Sequence, residues 1–180
     1  MYQIDVANSQ SFLDVDEAFV RDVVTRTLAA EQVASSAVSI AIVDNATIRP
    51  LNRTHLSHDY DTDVLSFLFE RKPMAGVLDV GRQASLRGVG KEIEGEVVVS
   101  AEMALQQAFR YGWRPRDELT LYLIHGLLHL VGYDDDSDEE AAVMRQRERA
   151  ILALWNLTPV GEGADAETRR RGDTGKETHA

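Results

Sequence analysis

The chain has no cysteine, so disulfides are excluded and so is any zinc site built on thiolates. A metal here has to be held by imidazole nitrogen and carboxylate oxygen. No apolar run reaches the length needed to span a bilayer, and the first twenty residues carry Asp5, Asp14, Asp16 and Glu17 where an export leader would have a basic region running into an apolar segment. A soluble cytoplasmic protein without a membrane partner is expected. No internal repeat is evident. Basic residues are also in deficit: 19 Lys and Arg stand against 30 Asp and Glu, a net charge of −11, which argues against broad, nonspecific binding of nucleic acid. The deficit is uneven. Residues 1–48 carry 2 basic and 7 acidic side chains and residues 117–155 carry 3 and 9, but residues 49–116 carry 10 and 9. Arg49, Arg53, Arg71, Lys72, Arg82, Arg87, Lys91, Arg110, Arg114 and Arg116 are therefore the available phosphate contacts, and they argue for RNA only where they cluster beside a metal.

What is present most distinctively is His125-Gly-Leu-Leu-His129-Leu-Val-Gly132-Tyr-Asp-Asp135. At 3.6 residues per turn the two histidines share a helix face, and Gly132 allows the backbone to turn back so that Asp135 closes a triangle with them. One histidine on an apolar helix is ordinarily a hydrogen-bonded core residue. Two at this spacing, followed by glycine and a carboxylate, read better as metal ligands. Two nitrogens and one oxygen suit zinc, with nickel, cobalt or iron as alternatives. Three protein ligands leave a fourth position for water, the arrangement of a hydrolytic site. The peptidase pattern His-Glu-x-x-His needs a glutamate where this chain has Gly126, so peptidase chemistry is the weaker reading.

Periodicity predicts strands at Tyr2–Val6, Ala37–Val43, Val64–Phe69 and Glu96–Val99. Helices are predicted over Phe12–Ala30, over a short segment holding Ile48 and Leu51 capped by Asp44 or Asn45, and over Ala101–Tyr111 capped by Ser100. The ligand helix is expected to start at an Asp117 cap, and the last helix runs from a Ser137/Glu140 capping box to about Trp155. Residues 70–95, broken by proline and glycines, read as loops at the rim of a cleft with room for a short hairpin. The fold class expected is α+β: a small mixed four-stranded sheet packed with about five helices, the metal site at the end of a core helix. Residues 1–157 make one metal-dependent, hydrolase-like domain, and 158–180 a disordered tail.

The histidine segment resembles the signature of the YbeY family of bacterial rRNA maturation factors and endoribonucleases. A second block, Leu51-Asn52 followed by Thr62-Asp63-Val64-Leu65-Ser66-Phe67, is similar to that family too, and with the strand of Ile4 and Val6 the resemblance covers roughly residues 2–155. It implies a zinc-dependent endoribonuclease that cuts single-stranded rRNA or its precursor, works with the small ribosomal subunit or its associated proteins in rRNA processing and ribosome quality control, and does not act on DNA. It also implies His125, His129 and Asp135 as ligands, with Ser66 at the cleft as a candidate catalytic contact and Asp134 fixing the loop or a ligand histidine.

Three positions depart from the family pattern. Asp135 stands where a third histidine is usual, Gly95-Glu96 replaces Gly-Asp, and Leu56 occupies the place of an arginine proposed to meet phosphate. Leucine donates no hydrogen bond, so Arg53, or Arg49, is expected to supply that contact and to steady developing charge. The competing readings are a noncatalytic ribosome-associated metalloprotein and a metal-dependent hydrolase of peptides or small molecules.

Overall fold

The computed structural model describes residues 1–74 and 86–159, with every side chain there except that of Leu56. Chain order runs β1 (Tyr2–Asn8), α1 (Glu17–Ala30), β2 (Ser35–Val43), α2 (Asn45–Leu56), β3 (Val64–Pro73), β4 (Lys91–Ser100), α3 (Ala101–Tyr111), α4 (Pro115–Val131) and α5 (Asp138–Leu152), ending in a 3-10 turn at Ala153–Trp155. The strands form one mixed sheet in the order β1-β2-β4-β3, with β1, β2 and β4 parallel and β3 antiparallel to β4. This is the α+β architecture expected from the sequence. The described elements end at Trp155, and most of the expected tail, 160–180, lies outside the described residues.

Alternation along the strands assigns the two faces of the sheet. Val38, Ile40, Ile42, Ile93, Val97 and Val99 join α1 and α4 in the main core, with Val64 packed against it. Leu65, Val98 and Val43 turn the other way and meet Ile48 of α2, with Ala41, Leu51 and Phe67 around them. So α2 and α4 cover opposite faces. In α4 every residue from Asp117 to Val131 except His129 is buried, because β3, β4, α1, α3 and α5 all pack against this helix. Each fully buried leucine side chain contributes roughly 1.5–3 kcal/mol by leaving water. The apolar run that sequence shows as a helix of low amphipathicity is thus a sheathed central helix. Among the described residues no helix is long and apolar enough to cross a membrane.

Several boundaries differ from expectation. The first helix begins at Glu17 rather than Phe12: Oε1 of Gln10 accepts from the backbone N–H groups of Phe12 and Leu13 at 2.7 and 2.9 Å, which closes a turn, and Asp16 then caps the helix through Ala18 N. The ligand helix starts three residues early, with Pro115 in its first turn and Arg114 as its cap residue, since proline suits a position whose N–H has no helical partner. Asp117, buried, pairs there with Arg114 in a bidentate contact at 2.6 and 3.0 Å. The flanks of the segment read as loops, 70–73 and 91–95, are strand. Their charges belong to a solvated edge, where Lys72 pairs with Glu70 and Glu92 and the backbone ladder does the holding. The middle of that segment, 75–85, lies outside the described residues.

Gly126 shows how tightly α4 lies on the sheet. A Cβ there would fall 2.5 Å from Val97 Cγ1 and 2.9 Å from Val64 Cγ2. Alanine is normally about 1 kcal/mol better than glycine inside a helix. Here the overpacking, about 1–3 kcal/mol for an extra methyl in a filled core, is expected to win. Gly126→Ala should lower the urea midpoint at unchanged m-value; a midpoint at or above that of the native chain would show that the sheet yields.

Candidate metal centre

The last two turns of α4 present His125 and His129, one turn apart, with their rings at 88° and 4.5 Å between centroids. Their Nε2 atoms lie 2.9 Å from each other. Gly132 ends the helix at φ +113°, a conformation that L side chains rarely adopt, and its N–H bonds back to the carbonyls of Leu128 and His129. The N–H of Tyr133 reaches Leu128 O as well, at 3.0 Å. With the chain reversed in this way, Asp135 returns to the histidines, 3.8 Å from His125 Nε2 and 3.7 Å from His129 Nε2. The three side chains offer ligand atoms all within 4.8 Å of one another, a group that could hold a metal ion. Solvent meets the trio from the side of His129 and Asp135, whose side chains are 26% and 35% exposed, against 7% for His125.

What lies behind the imidazoles decides which nitrogen faces the centre. Nδ1 of His129 is 3.1 Å from the carbonyl of Tyr133, which only accepts, so that nitrogen carries the proton. Nδ1 of His125 is 2.7 Å from Oε1 of Glu148, whose side chain is only 6% exposed. With both Nδ1 atoms donating, both Nε2 lone pairs point at the same spot beside a carboxylate. Such an arrangement suits a cation between them, and the donor set of two nitrogens and one oxygen fits zinc or a neighbouring transition metal. An acceptor behind each ligating histidine is the usual support of such sites.

Glu148 escaped the sequence reading although a signal was present. The buried face of α5 is Met144, Glu148, Ile151 and Leu152, an apolar stripe at helical spacing broken by one carboxylate. A second buried carboxylate was also missed: Glu31, fully buried just past α1. It bonds Nε of Arg147, accepts from the backbone N–H of Arg87 at 3.2 Å, and accepts from the hydroxyl of Tyr133 at 3.2 Å. Tyr133 is therefore the loop's anchor, its hydroxyl pushed up to about 12 by burial first and by Glu31 second. Asp134 holds the next turn, accepting from Asp135 N at 2.8 Å. Ser137 caps α5 as read, accepting from Glu140 N at 3.2 Å, but the Glu140 carboxylate takes the Ser137 hydroxyl at 2.9 Å where a full capping box would take the Ser137 backbone N–H.

The remaining residues singled out by sequence fall in different places. Ser66, on the α4 side of β3, donates to the carbonyl of Gly126 at 3.1 Å and so sits one residue from His125. Arg53 is exposed in the last turn of α2, the helix on the other face of the sheet. Arg49 is paired with Asp59 at 3.0 Å, and Asn52, buried, holds the carbonyl of Tyr60. The basic residues that do reach the end of α4 are Arg71, whose Nη1 donates to Leu130 O at 3.3 Å, and Arg87, which donates to Gly132 O and stacks 4.8 Å from the Tyr133 ring.

Among known proteins, the family described as Endoribonuclease YbeY has a sequence profile that matches residues 5–156. A Rhodopirellula baltica protein named Endoribonuclease YbeY is 41% identical over 122 residues; the match spans 67% of this chain and 54%, about half, of that relative. A Carboxydothermus hydrogenoformans protein of the same name is 36% identical over 156 residues, covering 85% of this chain and 97% of its own. A solution structure from Thermotoga maritima aligns over 99% of this chain and 100% of its own, with a TM-score of 0.47 and 18% identity.

Removing the carboxylate of Glu31 would leave Arg147, the Arg87 backbone and the Tyr133 hydroxyl facing a buried gap. Breaking one side of a buried ion pair costs about 3–5 kcal/mol. Glu31→Ala is expected to lose stability on that scale in chemical denaturation, and a loss below about 1 kcal/mol would show that the network does not carry the loop.

Proposed function

The chain belongs to the YbeY endoribonuclease family, and from that membership we propose that it is a zinc-dependent endoribonuclease cutting single-stranded RNA in small-subunit rRNA maturation and ribosome quality control, in the cytoplasm. The observation that supports this reading best is the convergence of His125 Nε2, His129 Nε2 and Asp135, each imidazole turned inward by an acceptor on its far nitrogen. His125, His129 and Asp135 hold the ion. Bound there, zinc supplies Lewis acidity and raises the acidity of water at its open side.

The protein's own groups do the rest. Glu148 fixes the tautomer and the orientation of His125 and makes its Nε2 a better donor to a cation. The carbonyl of Tyr133 does the same for His129, and the Glu31 contacts keep that carbonyl in place. Ser66 ties the helix to β3 beside His125 and acts as a positioning residue. Arg53, on the turn that leads through residues 57–63 into β3, supplies an outlying contact to the RNA backbone in place of the arginine that Leu56 displaces. An extended strand suits a site open on one side, and no duplex-reading module accompanies it among the described residues.

The two competing readings meet specific obstacles. A peptidase-type base at position 126 has no room, because that position faces Val97 and Val64 rather than the trio. A purely structural metal has little left to order, since the loop after α4 is already held through Gly132, Tyr133 and Asp134.

Metal analysis of the purified chain is expected to give one zinc or related ion per molecule, lost in His129→Ala and Asp135→Ala. Cleavage of a small-subunit rRNA precursor should fall in both by more than about 100-fold, past the 10–100-fold range typical of outer-sphere partners such as Glu148, for which Glu148→Gln is the comparison. Arg53→Ala should lower the rate while retaining the ion. A metal-free protein, or undiminished cleavage by all these variants, would overturn the assignment.

A further inference from the structure

Arg71 lies on β3 and Arg87 just before β4, and both reach the C-terminal end of α4; Lys91, the first residue of β4, pairs in register with Pro73 and so lies on the same face as Arg71, near enough to both arginines to feel their charge. The spot is marked closely: a Cβ on Gly132 would meet Arg71 Nη1 at 2.7 Å. Gly132 O takes a hydrogen bond from Arg87, and the carbonyl of the next residue, Tyr133, holds His129. One residue of backbone therefore separates this cluster from the candidate metal ligands. Helix C-terminal carbonyls attract cations, which explains one donor of each arginine. It does not explain the rest of the grouping. Each guanidinium has five donors, and the hydrogen bonds described occupy Nη1 of Arg71 and Nη1 of Arg87.

Lys91 has no carbonyl to cap with its ammonium and forms no ion pair among the described residues. Its pKa is lowered, by burial first and then by repulsion from Arg71 and Arg87, with Glu31 pulling weakly the other way. Glu31 is already engaged by Arg147 and the Tyr133 hydroxyl. Positive charge thus accumulates at one point of a chain whose net charge is −11, where like charges cost stability and nothing in the fold requires a third cation.

We propose that Arg71, Arg87 and Lys91 form a phosphate-binding site that holds the RNA backbone beside the bond to be cut. Arginine presents a planar fork to phosphate oxygens and lysine a point charge, so the cluster can grip a flanking phosphate while the metal ligands face the scissile one. The site stands on the side of α4's end reached from the β3–β4 hairpin, and it supplies the cationic grip that Leu56 cannot. This rests on the reading of the substrate as RNA, but not on hydrolysis.

Lys91 gives the cleanest test, because among the described residues its ammonium caps no helix carbonyl and joins no ion pair. Binding of a labelled single-stranded oligoribonucleotide is measured by fluorescence anisotropy in EDTA, so that no metal chemistry enters, for Lys91→Ala, Lys91→Glu, Lys91→Arg and, as a charge-matched control, Arg26→Ala, whose residue pairs with Asp22 on α1. Each variant is first shown to melt like the native chain. Lys91→Ala should weaken binding about 3–10-fold and reduce the slope of log K against log salt by about 0.7, the share of one phosphate contact on a single strand. Lys91→Glu should weaken it further, Lys91→Arg should restore it, and Arg26→Ala should change nothing.

Native affinity and salt slope in Lys91→Glu would overturn the proposal, as would an equal loss in Arg26→Ala. Displacement of the oligonucleotide by equimolar inorganic phosphate would also overturn it, by assigning the site to the free anion. Failure of the hydrolytic reading looks different: Lys91-dependent binding would persist in a chain that cleaves nothing after zinc is added.

Discussion

The closeness of α4 to the sheet is the constraint on which the rest of the molecule depends. A helix covered by two strands and three other helices has no free side for chemistry, so polar function is driven to its ends. Gly126 lets the helix touch Val97 and Val64, and Ser66 seals the contact with a hydrogen bond to the carbonyl at that point. His125 emerges one residue before this seam and His129 one turn later, where the sheath opens. Their positions are fixed by a core that cannot shift by a methyl group without strain, which is how a site holds its geometry without rigid covalent links.

A second level of support comes from buried carboxylates. Glu148 and Glu31 stand in the interior because each has a specific partner: an imidazole nitrogen for the first, a guanidinium and a phenol for the second. One belongs to the next helix, α5, and the other to the end of α1, about a hundred residues earlier, and both act on the loop after the histidines. The loop's shape is therefore a tertiary property. Gly132 permits the reversal, and Tyr133, held under Arg87 and against Glu31, decides where it goes.

That division explains what could be read from the chain alone. Helical spacing, a glycine at the helix end and a carboxylate at the right interval are local facts, so the grouping of His125, His129 and Asp135 was legible, as were the Ser100, Asp44 and Ser137 caps. Alternation of β-branched residues located the parallel core strands for the same reason. Glu148 and Glu31 were not legible as site supports, because a carboxylate reveals its partner only when two elements meet. The outer half of β3 and the start of β4 failed differently: Glu70, Arg71, Lys72, Glu92 and Glu94 alternate too little in polarity to look like strand, since an edge hairpin with solvated faces is held by its backbone ladder. Phe12 and Leu13 had helical spacing, but one glutamine side chain captured their N–H groups and outcompeted the helix.

Two of the departures from the family pattern act in the same electrostatic direction. Under the proposed function, a carboxylate in place of the third imidazole that the resemblance implies would make the metal surroundings more negative by one charge, and leucine in place of the implied arginine would remove a cation from the phosphate side. Either change by itself weakens the pull on a polyanion, and both occur in a chain already at −11. For the proposed RNA substrate, a compensating source of positive potential has to lie within about one Debye length of the site, ~8–10 Å, because salt screens it beyond that. The described cations paired with carboxylates elsewhere, such as Arg49 with Asp59 and Arg114 with Asp117, are neutralised where they stand. Arg71 and Arg87 are held at the end of α4 by carbonyls, and Lys91 beside them by the β3–β4 register, rather than by acids, which under the proposal leaves their field directed at the RNA.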